Sequence, residues 1–295
     1  MTVNGSITTL VAGSYEARVG QVGASLLSLT HRGRHLVQPV RADDDLADGY
    51  QGRTLVPWPN RVVGGRYEVG GTSYRLPVDE PQTGAALHGL GAFQAWDLQT
   101  SSSGAGSWVL DLPATYGYPF DVLCRATYAL DAGQGLTLTV TGTNQGSGPA
   151  PFGASTHPYL SCDDRPLAEC TLHLPAPTVL LTDERLSPAG LAPVAGTPHD
   201  FLAPTEVGER LVDNAYTDLP EGRWVVELTH PDTVGVRMTS EARWVQLYTG
   251  DRIGRRGAAI EPMTCPPDAF NSDPDGVLLQ PGDSRSLTLT LAAIL

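Results

Sequence analysis

Leu136-Thr137-Leu138-Thr139-Val140-Thr141 alternates apolar and polar residues at every step, and Ser286–Leu291 repeats this pattern near the end of the chain. An alternation of period two is typical of a β-strand with one buried face, whereas a helix has a period of 3.6 residues. Two further apolar segments, Trp224–Leu228 and Val234–Met238, flank the turn residues Pro231-Asp232 and predict a hairpin. The pattern therefore favours a β protein.

More strand signals lie elsewhere in the chain. Tyr67–Val69 and Ser73–Leu76 flank Gly70-Gly71, which predicts a second hairpin, and Arg243–Thr249 has the composition of a buried strand. The 33 glycines and 24 prolines are spread so evenly that no long helical pattern survives. We predict an all-β fold, one large antiparallel sandwich that forms a single domain over residues 1–295, with Ser101–Gly106 as a hairpin loop rather than a linker.

Length and composition limit the class of protein. A chain of 295 residues with 41% hydrophobic residues can bury a large core, and no apolar run approaches the ~20 residues of a membrane span. Met1–Ser6 has no basic start and no apolar stretch, so we expect no signal peptide and a cytoplasmic location. Asp43–Asp45 is interpreted as a solvated turn. The cysteines match no zinc-binding spacing and are expected to be free thiols, several of them buried: Cys124, Cys162, Cys170 and Cys265.

The charge balance excludes several partners and reactions. The net charge is −13, which argues against nucleic acid and anionic membranes as partners and mildly disfavours a phosphorylated substrate. All 19 basic residues are arginines, so Schiff-base chemistry at a lysine is excluded. The sequence also lacks the G-x-S-x-G motif of the hydrolase nucleophile elbow.

One carboxylate lies in an unusual setting, in Ala259-Ile260-Glu261-Pro262-Met263-Thr264-Cys265-Pro266-Pro267-Asp268-Ala269-Phe270-Asn271. Three prolines follow Glu261, and proline fixes φ and lacks an N–H group. We therefore expect Glu261 at the end of a strand that opens into a stiff loop, where a catalytic base can be held. The alternative is a surface glutamate before an ordinary proline-rich loop.

His157 lies in a similar setting, in Ser155-Thr156-His157-Pro158-Tyr159-Leu160. Pro158 favours an extended backbone at the histidine. Histidine has an ordinary pKa near neutrality, which suits a general acid, although a single histidine is more often structural. One histidine and one glutamate without a nucleophile motif indicate proton transfer rather than acyl transfer.

Four other residues are candidates for binding a polar ligand. Asn60-Arg61 combines an amide with a guanidinium fork, a pair suited to hydroxyl groups. His88 precedes Gly89, where backbone can approach a ligand closely, and Asp213 follows an apolar pair and can accept two hydroxyl protons. A surface arginine, a turn histidine and a turn aspartate are the alternatives.

Metal and thiol chemistry are disfavoured by the sequence. His31 and His35 stand four residues apart, but Gly33 lies between them in a strand-like context, so they do not form a helical metal pair. Cys265 has no neighbour that would make it a thiolate. We expect neither a metal nor an organic cofactor.

Taken together, these segments resemble the aldose 1-epimerase (galactose mutarotase-like) family over nearly the whole chain. The resemblance is carried by Asn60-Arg61, His88-Gly89, His157-Pro158-Tyr159, Asp213, Glu261-Pro262 and Pro267–Asn271. It implies a β-supersandwich with an open carbohydrate cleft and a small-molecule sugar substrate. It also implies that His157 protonates the ring oxygen, that Glu261 takes the proton of the C1 hydroxyl, and that Arg61, His88 and Asp213 bind sugar hydroxyls.

Three departures concern substrate contacts more than the acid and the base. The galactose-specific members carry an Asn-His-x-Tyr-Phe-Asn segment, whereas this chain has Thr156–Ser161. Leu90 replaces the second glycine of His-Gly-Gly, and Met263 stands where a glutamine is usual. Galactose is therefore not established as the substrate. Trp58, Trp96 and Tyr159 can stack on a sugar, but such aromatic residues are more often core.

Three alternatives remain open at this point. A 6-phosphohexose mutarotase would bring several arginines together on a phosphate. A non-catalytic carbohydrate-binding protein on the same fold would have no need of both His157 and Glu261. A glycosidase would use two carboxylates, here Asp213 and Glu261.

Overall fold

The computed structural model describes residues 3–40, 48–112 and 114–295. The predicted turn at Asp43–Asp45 lies outside the described residues, as do Met1 and Thr2. Across those described ranges, no helix has the length and apolar character needed to cross a membrane.

Strands dominate the described chain. In chain order they are β1 Ile7–Ala12, β2 Tyr15–Gly20, β3 Ser25–His31, β4 Arg34–His35, β5 Thr54–Leu55, β6 Arg61–Val62, β7 Arg66–Val69, β8 Thr72–Arg75, β9 Ala86–Leu87, β10 Asp97–Ser101, β11 Ala105–Leu112, β12 Val122–Asp131, β13 Gly135–Asn144, β14 Ala150–Pro151, β15 Ser155–Thr156, β16 Tyr159–Leu160, β17 Thr171–His173, β18 Thr178–Thr182, β19 Pro188–Pro193, β20 Thr205–Glu206, β21 Asp213–Thr217, β22 Trp224–Thr229, β23 Gly235–Ser240, β24 Trp244–Tyr248, β25 Ala258–Met263, β26 Leu278–Leu279 and β27 Ser284–Ile294. The α-helices are α1 Ala269–Ser272 and α2 Pro274–Val277, and single 3₁₀ turns cover Asp48–Tyr50, Val63–Gly65, Gly91–Phe93, Leu167–Glu169 and Asp251–Ile253.

The two alternating segments pair with each other in the centre of a nine-stranded antiparallel sheet. Its order is β10-β11-β12-β13-β27-β23-β22-β17-β20. In the β13–β27 register Leu138 faces Leu289, and both side chains are buried. On the opposite face Thr139 and Thr288 hydrogen bond to each other at 3.1 Å. One face of each strand therefore enters the core, and the hydroxyls of the other face pair across the strands.

A six-stranded antiparallel sheet, in the order β16-β25-β24-β21-β18-β19, carries three of the functional candidates, Tyr159, Asp213 and Glu261. A four-stranded sheet of β1 to β4 and four two-stranded pairs complete the described strands. The predicted hairpins are confirmed as β7–β8 and β22–β23, Ser101–Gly106 joins β10 to β11 as a hairpin loop, and Arg243–Thr249 contains the buried strand β24. The expected all-β supersandwich of antiparallel sheets is therefore confirmed.

The main hydrophobic cluster runs from Leu10 to Leu291 and includes residues of the four-, six- and nine-stranded sheets. Trp58 and Trp96 are core residues whose indole N–H groups donate to the carbonyls of Ala86 and Gly91, so neither is placed to stack on a sugar. The four cysteines are free and buried, as expected.

Candidate active site

A cavity of about 250 Å³ beside the six-stranded sheet collects all the predicted site residues. Strands β16, β21, β24 and β25 form one wall, and the short pair β6–β9 forms another. The cavity lining includes the seven candidates Asn60, Arg61, His88, His157, Tyr159, Asp213 and Glu261. Segments that are up to 201 positions apart in the chain thus meet in one place, between residues 60 and 261.

Glu261 lies inside β25 rather than at its end, which corrects the expectation from the prolines. The strand continues through Pro262 to Met263, and Glu261 pairs with Gln246 on β24. The N–H of Ile260 donates to the carbonyl of Pro158 on the other side of β25. Backbone nitrogens point to opposite sides of a strand at successive residues, so the nitrogen of Pro262 faces the same side as the N–H of Ile260. The last residue pair between β25 and β16 is Ala259 with Tyr159, so Pro262 lies beyond it. The missing N–H therefore breaks no ladder bond, and the strand can pass through a proline.

His157 sits between β15 and β16, with its backbone held from both sides. Its N–H donates to the carbonyl of Arg53 at 3.0 Å, and its carbonyl accepts from the N–H of Gly52 at 2.8 Å. The imidazole packs against the ring of Tyr159, with centroids 4.9 Å apart, and Tyr159 donates its hydroxyl to the carbonyl of Gly49 at 2.8 Å. Tyr159 lines the cavity but is 1% exposed, so its ring packs on the imidazole and offers no open face for a sugar to stack on.

The candidate acid and base are in direct contact. Nε2 of His157 lies 3.3 Å from Oε1 of Glu261, and both side chains are almost fully buried. Burial raises the pKa of Glu261 well above its usual range, the charge of Asp213 raises it further, and Arg61 opposes both. Burial also lowers the pKa of His157. Both shifts favour the uncharged pair, with a shared proton on Glu261, over the ion pair. Moving that proton to His157 gives an ion pair without any exchange with solvent.

His88 and Asn60 hold each other in place. The N–H of His88 donates to the carbonyl of Asn60 at 2.8 Å, and the N–H of Asn60 donates to Nδ1 of His88 at 3.2 Å. Nδ1 is thus an acceptor, so the proton of the neutral imidazole is assigned to Nε2. His88 also lines the cavity, so that it can offer a hydrogen-bond donor there. Burial lowers the pKa of His88 well below its usual value, with smaller effects from His157 and Arg61, and this keeps the ring neutral.

Gly89 serves a different purpose from the one expected. A Cβ at this position would lie 2.2 Å from the carbonyl oxygen of Val56, so protein backbone, not a ligand, makes the close approach. The Val56 carbonyl accepts from the N–H groups of Leu90 and Gly91. This packing fixes the turn that carries His88.

His88, His157 and Glu261 also meet a simple geometric criterion for a metal site, since one ligand atom of each lies within 4.8 Å of the others. A metal needs a lone pair at each nitrogen that binds it. Because Asn60 donates to Nδ1 of His88, the nitrogen left for the cavity carries a proton. The trio therefore fits a hydrogen-bonding site better than a metal centre.

A charged and amide-rich wall faces the acid–base pair. Nε2 of Gln246 donates to Oδ1 of Asp213 at 2.6 Å, and NH2 of Arg61 lies 3.9 Å from Oδ2 of Asp213. Burial raises the pKa of Asp213, although Arg61 and Gln246 oppose it. Oδ1 of Asn60 accepts from the N–H of Arg61, which orients the side chain, and its amide nitrogen can donate to a ligand. This wall presents both donors and acceptors, as a polyhydroxylated ligand requires.

Residues 6–292 match the family model of the aldose 1-epimerases. The chain belongs to the aldose 1-epimerase family. It is 35% identical over 288 residues to YihR, a protein of Escherichia coli K12 described as uncharacterised, with 97% of this chain and 93% of that protein covered. It is 31% identical over 270 residues to the galactose mutarotase of Mus musculus, with 81% of this chain and 77% of the relative covered. It is thus an isomerase of the epimerase type.

Solved structures agree on the fold of this aldose 1-epimerase family member. The GalM/aldose epimerase homologue from C. elegans superposes with a TM-score of 0.88 at 19% identity, with 98% of each chain covered. Galactose 1-epimerase from Lactobacillus acidophilus NCFM gives a TM-score of 0.86 at 19% identity, over 100% of this chain and 96% of that chain. At this level of identity the likeness shows the shared fold.

Several cavity residues of this epimerase-family chain escaped the sequence analysis. Gln246 had a detectable signal, because it is the lone polar side chain between apolar neighbours in a buried strand. Glu80, in the loop before β9, had none, since its partner Arg61 is 19 positions away and no periodicity links them. The other residues missed are Gly49, Tyr50, Leu87, Leu186, Tyr248 and Arg252.

Proposed function

We propose that this chain is a mutarotase that interconverts the α and β anomers of a free aldose. The observation that carries the proposal is the buried contact of 3.3 Å between His157 and Glu261, in a cavity whose lining also includes Asn60, Arg61, His88 and Asp213. Oε2 of Glu261 and Oε1 of Gln246, on paired residues, are buried without a hydrogen-bond partner among the described residues. Buried polar atoms normally have partners, so these acceptors are suited to the hydroxyl protons of a sugar.

The reaction follows from the proton shared by the pair. In the ion-pair form, the Glu261 carboxylate takes the proton of the C1 hydroxyl while the His157 imidazolium donates a proton to the ring oxygen. The C1–O5 bond breaks, and an open-chain aldehyde results. Rotation about C1–C2 and the reverse proton transfers close the ring as the other anomer. The enzyme regains its starting form, and each proton transfer can contribute about 10²–10⁴-fold to the rate.

The charges in the cavity favour a neutral sugar over a sugar phosphate. A phosphate site would need several uncommitted guanidinium groups. Arg61 is bound to the Glu80 carboxylate at 2.6 and 2.9 Å, and Arg252 is the one other arginine among the described cavity residues. Asp213 and Glu261 add negative charge to the same cavity. The non-catalytic alternative leaves the buried acid–base contact without a role.

Polarimetry or NMR of freshly dissolved α-anomers, over a panel of aldoses and hexose 6-phosphates, tests this proposal. We expect faster equilibration of a neutral aldose without added cofactor. His157→Asn and Glu261→Gln should each reduce kcat by about 10²-fold or more. His230→Asn is the matched control, because His230 forms a similar contact of 3.5 Å with Glu169 away from the cavity.

Equilibration no faster than buffer across the panel would refute mutarotation. Preference for a 6-phosphate would support the phosphohexose alternative. Hydrolysis of a nitrophenyl glycoside would favour the glycosidase.

A further inference from the structure

Arg61, on the hydroxyl-binding wall, is held by a carboxylate from another loop. Its Nε donates to Oε2 of Glu80 at 2.6 Å, and its NH2 donates to Oε1 at 2.9 Å. The two side chains are only 9% and 12% exposed. A two-point ion pair of this kind fixes the plane of the guanidinium as well as its position.

The loop that carries Glu80 is itself tightly fixed. The N–H groups of Thr83 and Gly84 both donate to the Glu80 carbonyl, and the Thr83 hydroxyl donates to the Glu80 carboxylate. At the other end, Oδ1 of Asp79 accepts from the N–H of Leu87 at 2.7 Å. Leu87 pairs with Arg61 across β6 and β9, so the loop and the arginine share one support. Glu80 therefore holds Arg61 from a rigid frame.

Without Glu80, Arg61 would have other carboxylates to pair with. Its NH2 already lies 3.9 Å from Asp213, and its charge acts on Glu261. The ionisable groups that face Glu261 are His157, Asp213, Arg61, His88 and Tyr159. Those that face Glu80 are Arg61, Arg252, Asp79, Tyr50 and Asp213. Arg61 is thus the main cation that acts on both Glu261 and Glu80.

We propose that Glu80 is a positioning residue for the proposed anomerisation: it holds Arg61 at the cavity wall and keeps its guanidinium from moving past Asp213 toward Glu261. This inference rests on the proposed function, because the base must stay free to take the C1 proton. A guanidinium that moves onto Glu261 would stabilise the carboxylate, weaken it as a base and block its approach to the sugar. The Glu80 side chain itself does not need to touch the sugar.

Glu80→Gln tests the inference by replacing the charged partner with an amide of similar shape. We expect KM to rise on the order of tenfold, the loss expected for one charge-assisted hydrogen bond. We also expect the acidic limb of the kcat profile to move to lower pH by about one unit, because Arg61 then stabilises the Glu261 carboxylate. The matched control is Glu227→Gln, which breaks the surface pair of Glu227 with Arg237 at 2.6 Å. It should change neither value.

Two further measurements test whether Glu80 acts by positioning Arg61, rather than only through its own negative charge, and whether the effect is seen without substrate. Thr83→Val keeps the Glu80 charge but removes the hydroxyl that contacts the Glu80 carboxylate, the Glu80 carbonyl and the N–H of Ala85, so it should shift both values in the same direction by less. A titration of the Glu261 carboxyl by ¹³C NMR needs no substrate, and its midpoint should fall in Glu80→Gln. An unchanged midpoint in Glu80→Gln, or an unchanged KM in an active enzyme, overturns the inference. If the wild-type protein is inactive but the Glu261 midpoint is still lower in Glu80→Gln, only the proposed function is refuted.

Discussion

At the scale of single residues, the proposed reaction needs one proton shared by His157 and Glu261, and its pH dependence follows from adding a proton to this pair or removing one. A second proton added at low pH removes the carboxylate, and removal of the last proton at high pH removes the acid. Activity should therefore follow a bell whose two limbs belong to the pair as a whole. A wild-type profile that is flat through neutrality would contradict this.

Single variants separate the requirement for an ionised Glu261 from the requirement for a protonated His157. His157→Asn leaves only the need for an ionised Glu261, and burial raises the pKa of that group. Its residual activity should rise with pH, with a midpoint well above that of an ordinary glutamate. Glu261→Gln leaves only the need for a protonated His157, whose pKa burial lowers, so its residual activity should fall with pH from an acidic midpoint. Profiles of kcat against pH for both variants provide the measurement. The opposite slopes would make the histidine the base.

Glu261 should also cost stability. Its folded-state pKa is raised, so its contribution to stability is present below the ordinary glutamate pKa and is lost as pH rises toward the folded-state value. Glutamine does not titrate, and His157 is present in both proteins. Glu261→Gln should therefore raise Tm over wild type by more at about pH 8 than at about pH 4. Thermal melts at both values test this. An equal difference at the two pH values would mean that burial does not shift this carboxyl.

The binding wall gives a third prediction at this scale. Arg61→Ala, His88→Ala and Asp213→Ala should each weaken sugar binding by about 1–3 kcal/mol, because each removes a hydrogen bond to a buried or charged group. Titration calorimetry with the best aldose of the panel measures the effect. His88→Ala also removes the contact to the Asn60 N–H, so it should lower Tm as well. Unchanged affinity in all three variants would place the sugar elsewhere.

At the scale of elements, alternation and turn residues were sufficient to predict the strands that form the core. β13, β27 and the two hairpins follow directly from residues that a reader can mark on the sequence. The prediction that the strand ends at Glu261 was wrong, because Pro262 interrupts a strand only if its nitrogen faces a hydrogen-bond acceptor of a paired strand. The sequence does not show which nitrogens face such acceptors. Asn60 and His88 both adopt a positive φ, at 55° and 59°, and no sequence pattern indicated that their backbones bond to each other. The pairing of Arg61 with Glu80 was equally invisible, because it depends on the packing of a loop.

The turn at Gly89 provides a test at this scale. Gly89→Ala should lower Tm and reduce kcat/KM, because the new Cβ would meet the Val56 backbone at 2.2 Å and displace His88. Gly70→Ala is the matched control: Gly70 also has a positive φ, at 57°, but nothing lies within 4 Å of its Cβ position. In Gly70→Ala the free energy of unfolding should fall by about 1–2 kcal/mol, from the strained backbone alone. Equal losses in the two variants would show that the contact with Val56 is unimportant.

At the scale of the whole molecule, the proline-rich segment after Glu261 fastens distant parts of the chain to one another. The N–H of Asp268 donates to the carbonyl of Arg61 at 2.8 Å, and Oδ1 of Asp268 accepts from the N–H of Val63 at 2.9 Å. The amide of Asn271 donates to the carbonyl of Arg66. The segment that looked catalytic on the sequence therefore carries the proposed base at its start, and its remainder supports the turn next to Arg61.

Asp268→Ala tests this support. We expect a lower Tm and a higher KM, because the turn that carries Arg61 loses a partner 205 positions away in the chain. Asp131→Ala is the control, since Asp131 accepts from two backbone N–H groups in the exposed β12–β13 turn, far from the cavity. If Asp268→Ala keeps the wild-type KM, Asp268 contributes to stability but not to substrate binding. Melts and initial rates distinguish the two results.

The resting position of the shared proton matches one particular stage of the proposed reaction. Once the sugar ring has opened, Glu261 has gained a proton and His157 has lost one, which is the form that burial favours in the free enzyme. The ring-closed complexes of both anomers need the less favoured ion pair. The open-chain aldehyde is thus the one stage at which the pair holds its proton where burial favours it. Each ring-closed anomer must first form the less favoured ion pair, so forming that pair is part of the barrier on both sides, and burial stabilises the intermediate between them.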